Sequence, residues 1–533
     1  MATGNNDITS THPTDWKYVS EGGATIVFSY VGPSDSSRAK NTAFQGMVLR
    51  LRKVPSVPLG VRFDSDSSSF SEDEDDEEDD EDEPDDPSIA FQKQCMARLV
   101  PNAHLPQLES IIVRSPPGRS YTSDAIIEEK LDGQDALQDT HDHDEHHHRH
   151  HHHKHLTDGS AWLRALAATH DELRPQTRRA LGGIDFKRRK GVLATDLVGG
   201  HGMSVEIKPK WSFLPNPAHL SAEFKPIKTK TCRFCMHTHM RTQEATSKES
   251  VQTEDVEEQK PSSGRHAAPP AVGYCPLDLF SPRSDRVRYA VHALYDAWIA
   301  SEGKANNLKV FVRGKGVKVS GRKLIFHNPP SELEEDQIRT AFADSLLPLL
   351  TQTPVLQLLN RLQRTLDMLD VEGLVKVWEK WCRSSGHVGE NELGAGCEEP
   401  TLEEWGSFID SYLHELGLDE QSGKGPAESV NGKAKHAELP DVQTEEEMRF
   451  YLLAYLLSAT FKDCSIIVRV PLLGSDMSEM EDANLDSRMI TLIDLDPKSM
   501  TRLKKWEALD REIVSTYGQL REEERTACID DWN

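Results

Sequence analysis

The residues of this chain best suited to chemistry are carboxylates that stand where apolar runs stop. Asp494 and Asp496 close the run MITLIDLD, with Lys498 and Arg502 a few residues on. Magnesium prefers carboxylate oxygen, and a phosphoryl group in transit needs a metal and cationic partners; the spacing therefore points to phosphoryl chemistry, against the plainer reading of a solvated strand end. Asp463 in KDCS lies where a helical pattern gives way to the apolar run SIIVRV, a junction at which a base could meet a hydroxyl. In VEIKPK, alternation puts Val205 and Ile207 on one face of a strand and Glu206, Lys208 and Lys210 on the other. That second face is either solvated or a row of ammonium groups turned toward an anion.

Two further stretches add candidates. EGGATIVFSY places Gly22 and Gly23 ahead of an apolar run, so bare backbone amides could approach a phosphate, although a plain hairpin turn has the same signature. No GKS or GKT follows, which excludes a Walker A loop. Arg50 on the next apolar run supplies a cation, and together they suggest half of an ATP clamp. CRFCMHTH offers Cys232, Cys235, His237 and His239, yet four ligands packed into eight residues leave little loop to wrap a tetrahedron, and structural zinc sites draw ligands from distant segments. The expectation is a metal-free structural stretch, with Arg241 at its end offering another cation.

The elements that must carry these residues follow from periodicity. ATIVFSY and FQGMVLRL form a hairpin candidate around a polar link. NNLKVFVRGKGVKV reads as one or two strands; Arg286 to Ala300, Leu346 to Trp381 and Glu445 to Phe461 carry helical spacing, the last feeding straight into SIIVRV. Strands beside a mostly helical second half indicate an α+β protein. The tract SDSSSFSEDEDDEEDDEDEPDDP, the His-rich HDHDEHHHRHHHHKH and a Ser/Glu/Pro linker lack the apolar residues to offset ordering entropy. The expected organisation is a disordered segment 1–15, a first lobe over 16–200 with disordered insertions at 64–87 and 141–155, and a second lobe over 201–533 with a disordered linker at 244–271.

At 533 residues the chain is long for one core, which agrees with two lobes. Of the net charge of -26, the 14 acidic residues of Glu72 to Asp86 supply more than half, so the acidity is local. The balance argues against non-specific nucleic-acid binding without excluding small basic pockets. Eight cysteines make no disulfide framework, and no apolar run reaches the ~18 residues that span a bilayer. The reading is a soluble, monomeric protein of the nucleus or cytosol, in which KRRK at Lys187 to Lys190 is either a nuclear address or a solvated loop.

In this order, EGGATIVFSY, VLRLRK, VEIKPKWSFLP, CRFCMHTH, YCPLDLFS, NNLKVF, KDCSIIVRV and IDLDPK resemble the blocks of inositol-pentakisphosphate 2-kinases, of the fungal type. The resemblance implies transfer of the γ-phosphoryl group of ATP, with Mg2+, to the 2-hydroxyl of inositol 1,3,4,5,6-pentakisphosphate, giving the hexakisphosphate, phytate. It also implies a two-lobed protein-kinase-like fold with an inositol-phosphate-binding extension in the C-terminal lobe. By similarity, Gly22, Gly23 and Arg50 hold the ATP phosphates, Thr195 and Asp196 face adenine, and Glu206 faces the ribose. Lys208 bridges the two substrates, Asp463 is the base and Asp494 holds magnesium. Arg178, Lys210, Arg241, Asn306, Asn307, Lys309, Lys498 and Arg502 bind inositol phosphates. Thr177 and Pro55 depart from the pattern of some relatives, and the ligand spacing of the zinc site that plant members carry is absent between Trp381 and Leu439. The rivals are a protein kinase, which lacks support because neither an HRD-type loop nor DFG is present, and a zinc-bearing interaction scaffold.

Overall fold

The computed structural model describes residues 8–34, 41–55, 83–114, 160–200, 202–252, 273–329, 332, 334–385, 392–417, 438–474 and 490–532. The His-rich tract, most of the acidic tract and most of the Ser/Glu/Pro linker lie outside them. The chain divides into two units: 1–86 with 109–193, and 87–108 with 194–533. Helix and strand are mixed in both, so the class is α+β.

In the first unit, the strands β1 (Trp16–Glu21), β2 (Thr25–Tyr30) and β3 (Met47–Pro55) form a meander, followed in chain order by β4 (Leu108–Ile112), β5 (Gly182–Ile184) and β6 (Lys190–Thr195). The sheet order is β1-β2-β3-β6-β4, with β5 also on β3. The expected hairpin is the antiparallel β2/β3 pair, with Val27 opposite Arg50. Helix α1 (Ala161–His170) buries Leu163, Leu166 and His170, three and four residues apart, against Trp16, Ile26, Phe28 and Leu49. The end of the acidic tract is ordered here: Glu83 accepts from Arg188, Asp85 from Lys190 and Asp86 from Arg52. Of the 64–87 tract expected to be disordered, residues 83–87 are described, and Arg52 within β3, Arg188 ahead of β6 and Lys190 at its start meet their carboxylates.

The second unit is built on a five-stranded sheet of β7 (Met203–Ile207), β8 (Leu308–Val312), β9 (Lys315–Gly316), β10 (Ser465–Val470) and β11 (Ile490–Ile493), in the order β11-β10-β7-β8-β9. Among the described residues, eight helices of ten residues or more accompany it: α2 (Arg233–Gln252), α3 (Ser284–Ala300), α4 (Glu335–Gln352), α5 (Val355–Leu366), α6 (Asp370–Ser385), α7 (Leu402–Glu415), α8 (Glu445–Asp463) and α9 (Arg502–Gly518). The helical stretch expected over Leu346 to Trp381 is three helices. Pro354 opens α5, and Asp370, with a φ of 60° that most residues avoid, opens α6. Thr444 and Glu447 form a capping box at the start of α8, and its residues from Leu452 to Ser458 are all buried, the mark of a central helix. Only Cys464 separates α8 from β10. No helix among the described residues is long and apolar enough to cross a membrane.

Candidate functional site

Strand β7 is central, and all five of its residues are buried, Glu206 among them. A buried carboxylate requires partners, and cross-strand register supplies them. Glu206 lies opposite Lys309 on β8 and Ile467 on β10; both of its oxygens accept from Lys309 Nζ at 3.0 Å, and Ser465 Oγ lies 3.2 Å from Oε1. The alternation expected through Lys210 stops early, because the strand ends at Ile207. Lys208 N donates to the Asn307 carbonyl and Asn307 Nδ2 donates back to the Lys208 carbonyl, after which Lys210 takes a φ of 69°. The two lysines are thus aimed by a turn and not by a pleat.

They are aimed at carboxylates at the end of α8 and just past β11. Lys208 Nζ donates to Asp494 Oδ2 at 3.2 Å, and Lys210 Nζ to Asp463 Oδ1 at 3.0 Å. Lys498 Nζ reaches the other oxygen of Asp463 at 3.3 Å, and Ser465 Oγ lies 3.1 Å from Asp494 Oδ2. Burial pushes the Asp463 pKa up, but Lys210 and Lys498 outweigh it and hold the carboxyl below the usual aspartate range. Burial likewise opposes the charge on Lys208, while Asp494 and Asp463 more than restore it. Both carboxylates remain about half exposed. β11 ends at Ile493, one residue short of Asp494, whose φ of 62° turns the chain away from the sheet.

Two residues that chemistry-based reading of the sequence passes over set this geometry. Gln363 on α5 is fully buried; its Nε2 donates to the carbonyls of Lys210 and Phe461, and its Oε1 accepts from Ser212 N, each at 3.0 Å. One side chain therefore ties the EIKPK turn to the end of α8. Lys462 points inward to Asp367 and lies within 6 Å of the ring centres of Trp211, Phe213 and Tyr455, so that Asp463, next in the chain, faces outward. His237 on α2 is driven down to about 4 by burial and then by the charges of Arg233, Arg241 and Lys210. That response marks a locally positive field in which α2 and the EIKPK turn take part. The only sequence signal for Gln363 is a polar residue in an apolar helix.

The remaining candidates are placed as follows. Asn307 is buried and serves the Lys208 backbone, whereas Asn306 is exposed. Thr195 Oγ1 accepts from Gln107 N, and the buried Asp196 carboxylate accepts from Val198 N and Gly199 N, so its side chain closes a turn. Burial lowers the Arg241 pKa against the opposing charge of Glu244. Arg502 opens α9 and is exposed. In the first unit, Gly22 and Gly23 form the β1/β2 turn, where a Cβ on either would meet nothing within 4 Å. Internal packing therefore does not demand glycine there, which suits the approach of an outside group to the backbone. The turn is braced by the buried Glu21, which accepts from Lys53 at 2.6 Å and from Arg174 at 2.9 Å. Arg50, Arg178 and Arg502 pair with no carboxylate among the described residues.

Chemically, this arrangement can handle phosphate: cations converge on carboxylates from which a polyanion could displace them. Magnesium is commonly held by one or two carboxylates together with substrate oxygens and water, and the half-exposed Asp494, at a strand end, fits that donor set.

Residues 18–512 match the family model described as inositol-pentakisphosphate 2-kinase. Among curated relatives, the inositol-pentakisphosphate 2-kinase of Cryptococcus neoformans is 26% identical over 517 residues, 95% of this chain and 94% of its own. The protein of that name from Arabidopsis thaliana is 24% identical over 352 residues, 62% of each chain, and that from Danio rerio is 35% identical over 111 residues, 21% of this chain and 17% of its own.

Proposed function

The chain belongs to the inositol-pentakisphosphate 2-kinase family, and from that premise we propose that it transfers the γ-phosphoryl group of ATP to the 2-hydroxyl of inositol 1,3,4,5,6-pentakisphosphate, forming the hexakisphosphate. The observation that carries this reading is the meeting of Lys208, Lys210 and Lys498 with Asp463 and Asp494.

In the proposed reaction, Asp463 accepts the proton of the 2-hydroxyl as its oxygen attacks phosphorus. Its low pKa keeps it ionised at neutral pH, and incoming inositol phosphates draw Lys210 and Lys498 away, which raises its basicity at the moment of use. Lys208, beside Asp494, neutralises charge on the group in transfer, and Lys210, Arg241, Lys498 and Arg502 hold the phosphates already on the ring. Glu206 orients the ribose while retaining Lys309, and Asn307 fixes the turn that aims Lys208. Asp494 is the residue that would hold Mg2+, which supplies charge neutralisation on the phosphate oxygens. Gly22, Gly23 and Arg50 are assigned to the ATP phosphates, and Thr195 and Asp196 to adenine through their backbone groups. A kinase-like pair of lobes is part of this reading.

Incubation with ATP, Mg2+ and inositol pentakisphosphate, followed by chromatographic separation of the inositol phosphates, tests it. Hexakisphosphate with one ADP per product is the expected result. ATP hydrolysis without a new inositol phosphate, or phosphorylation of protein instead, would refute it.

A further inference from the structure

The turn that follows β6 is held from three sides. Asp196 Oδ1 accepts from Val198 N at 3.1 Å and from Gly199 N at 2.7 Å, which closes the turn from within. Gly314, between β8 and β9, donates its N–H to the Val198 carbonyl at 2.9 Å. The third hold is Arg469 of β10, which reaches the turn with two guanidinium nitrogens. Its Nη2 donates to the Gly199 carbonyl at 3.1 Å, and its Nη1 lies 3.5 Å from the Asp196 carbonyl.

The local sequence, DLVGGHG from Asp196 to Gly202, is built for this closeness. A Cβ on Gly199 would lie 2.3 Å from the Asp196 carboxylate, and one on Gly202 would lie 2.6 Å from the Val470 carbonyl. Gly200 has a φ of 90°, and a Cβ there would lie 3.1 Å from Arg469 Nη2. Glycine loses more conformational freedom on ordering than any other residue, so a segment this rich in it needs outside partners to keep one shape. A guanidinium suits the task better than an ammonium. Its planar fork presents donors in fixed directions, so one side chain can hold two carbonyls three residues apart.

We propose that Arg469 is a positioning residue for the nucleotide: by pinning the carbonyls of Gly199 and Asp196, it holds the 196–200 turn in its binding shape before adenine arrives. Adenine presents an acceptor nitrogen beside a donor amino group, so it needs an N–H and a carbonyl at a fixed separation. A turn already held in place offers them without the loss of loop freedom falling on the binding step. Acting through the turn, Arg469 bears on nucleotide affinity and not on the transfer step. This inference rests on the phosphotransfer reading, which assigns Thr195 and Asp196 to adenine.

Calorimetric titration of the full-length chain with ADP, and separately with inositol pentakisphosphate, tests it. Arg469→Ala should weaken ADP binding about tenfold, as expected when ordering of a few loop groups moves into the binding step, and should leave the affinity for inositol pentakisphosphate unaltered. In turnover, KM for ATP should rise by a similar factor while kcat stays within about twofold. Arg469→Lys, with one donor where two are needed, should recover only part of the loss. Equal losses for both ligands would mark general damage and overturn the positioning role. The two readings fail separately: a wild-type chain that forms no hexakisphosphate refutes the phosphotransfer reading, whereas ADP binding to Arg469→Ala at wild-type strength refutes this inference alone. Should the variants fail to fold, amide hydrogen exchange in the wild type decides. The Val198 and Gly199 N–H groups should exchange slowly before ADP is added, and rapid exchange that slows only with ADP refutes a preformed turn.

Discussion

Asp463 is held ionised by the two ammonium groups that flank it, so its behaviour with pH is tied to theirs. Asp463→Asn should lower kcat by about 10²–10⁴-fold, the range for loss of a positioned base, while ATP binding measured by calorimetry persists. The acid limb of kcat/KM should lie below the usual aspartate range, because a depressed pKa keeps the base ionised as pH falls. Lys210→Met removes the largest of the lowering influences and should move that limb to higher pH. The diagnostic is the position of the limb, since the plateau also falls with substrate affinity; an unmoved limb would sever Asp463 from the base role. At this scale the sequence was informative about charge and silent about aim. Lys208, Lys210, Asp463, Asp494 and Lys498 are legible from type and spacing, whereas Gln363 and Lys462 act through backbone carbonyls and a buried partner, which no local pattern encodes.

Among elements, the decisive contact is α5 against the EIKPK turn and the end of α8, through Gln363. Gln363→Leu keeps the volume but leaves two buried carbonyls and one N–H without this partner, so it should cost about 2–4 kcal/mol, read in a urea melt. Turnover should fall beyond what lost folded protein explains, because Lys210 and Asp463 lose their common brace. A variant with native stability and turnover would show the brace to be redundant. A second prediction concerns Lys228, buried between Asp370 and Asp510. Lys228→Met strands buried carboxylates and should cost about 3–5 kcal/mol, with partial recovery at low pH as they protonate. Periodicity located the strands and helices that build the site. It missed the early ending of β7 and the division of the Leu346 to Trp381 stretch, because a turn set by Asn307 and a left-handed Asp370 are decided by tertiary partners.

For the whole molecule, ends of segments matter more than their composition suggests. The acidic tract is a case in point, since only its last residues have described partners. Deleting 65–82 should leave the melting temperature unchanged, and extending the deletion through Asp86 should cost about 1 kcal/mol or less per lost pair, as such pairs are partly exposed. The other case is Thr526–Trp532. Cys528 N donates to the Lys230 carbonyl, Asp530 accepts from Arg364 at 2.7 Å and from Leu214 N, Asp531 pairs with Arg286, and Trp532 Nε1 donates to the Phe280 carbonyl. Nothing in the sequence of this stretch foretells that role, because its partners lie well over a hundred residues away.

That stitching has a consequence for biosynthesis. The first unit is completed by residues no later than Leu193, so it can fold while the ribosome is still making the second. The second unit cannot close around Arg364, Leu214 and Phe280 until translation has passed Trp532 and that stretch has cleared the exit tunnel. From the completion of Leu193 until Trp532 has emerged, a nascent chain therefore holds one finished unit and one unsealed one, and a stop ahead of Thr526 would leave the unsealed state permanent.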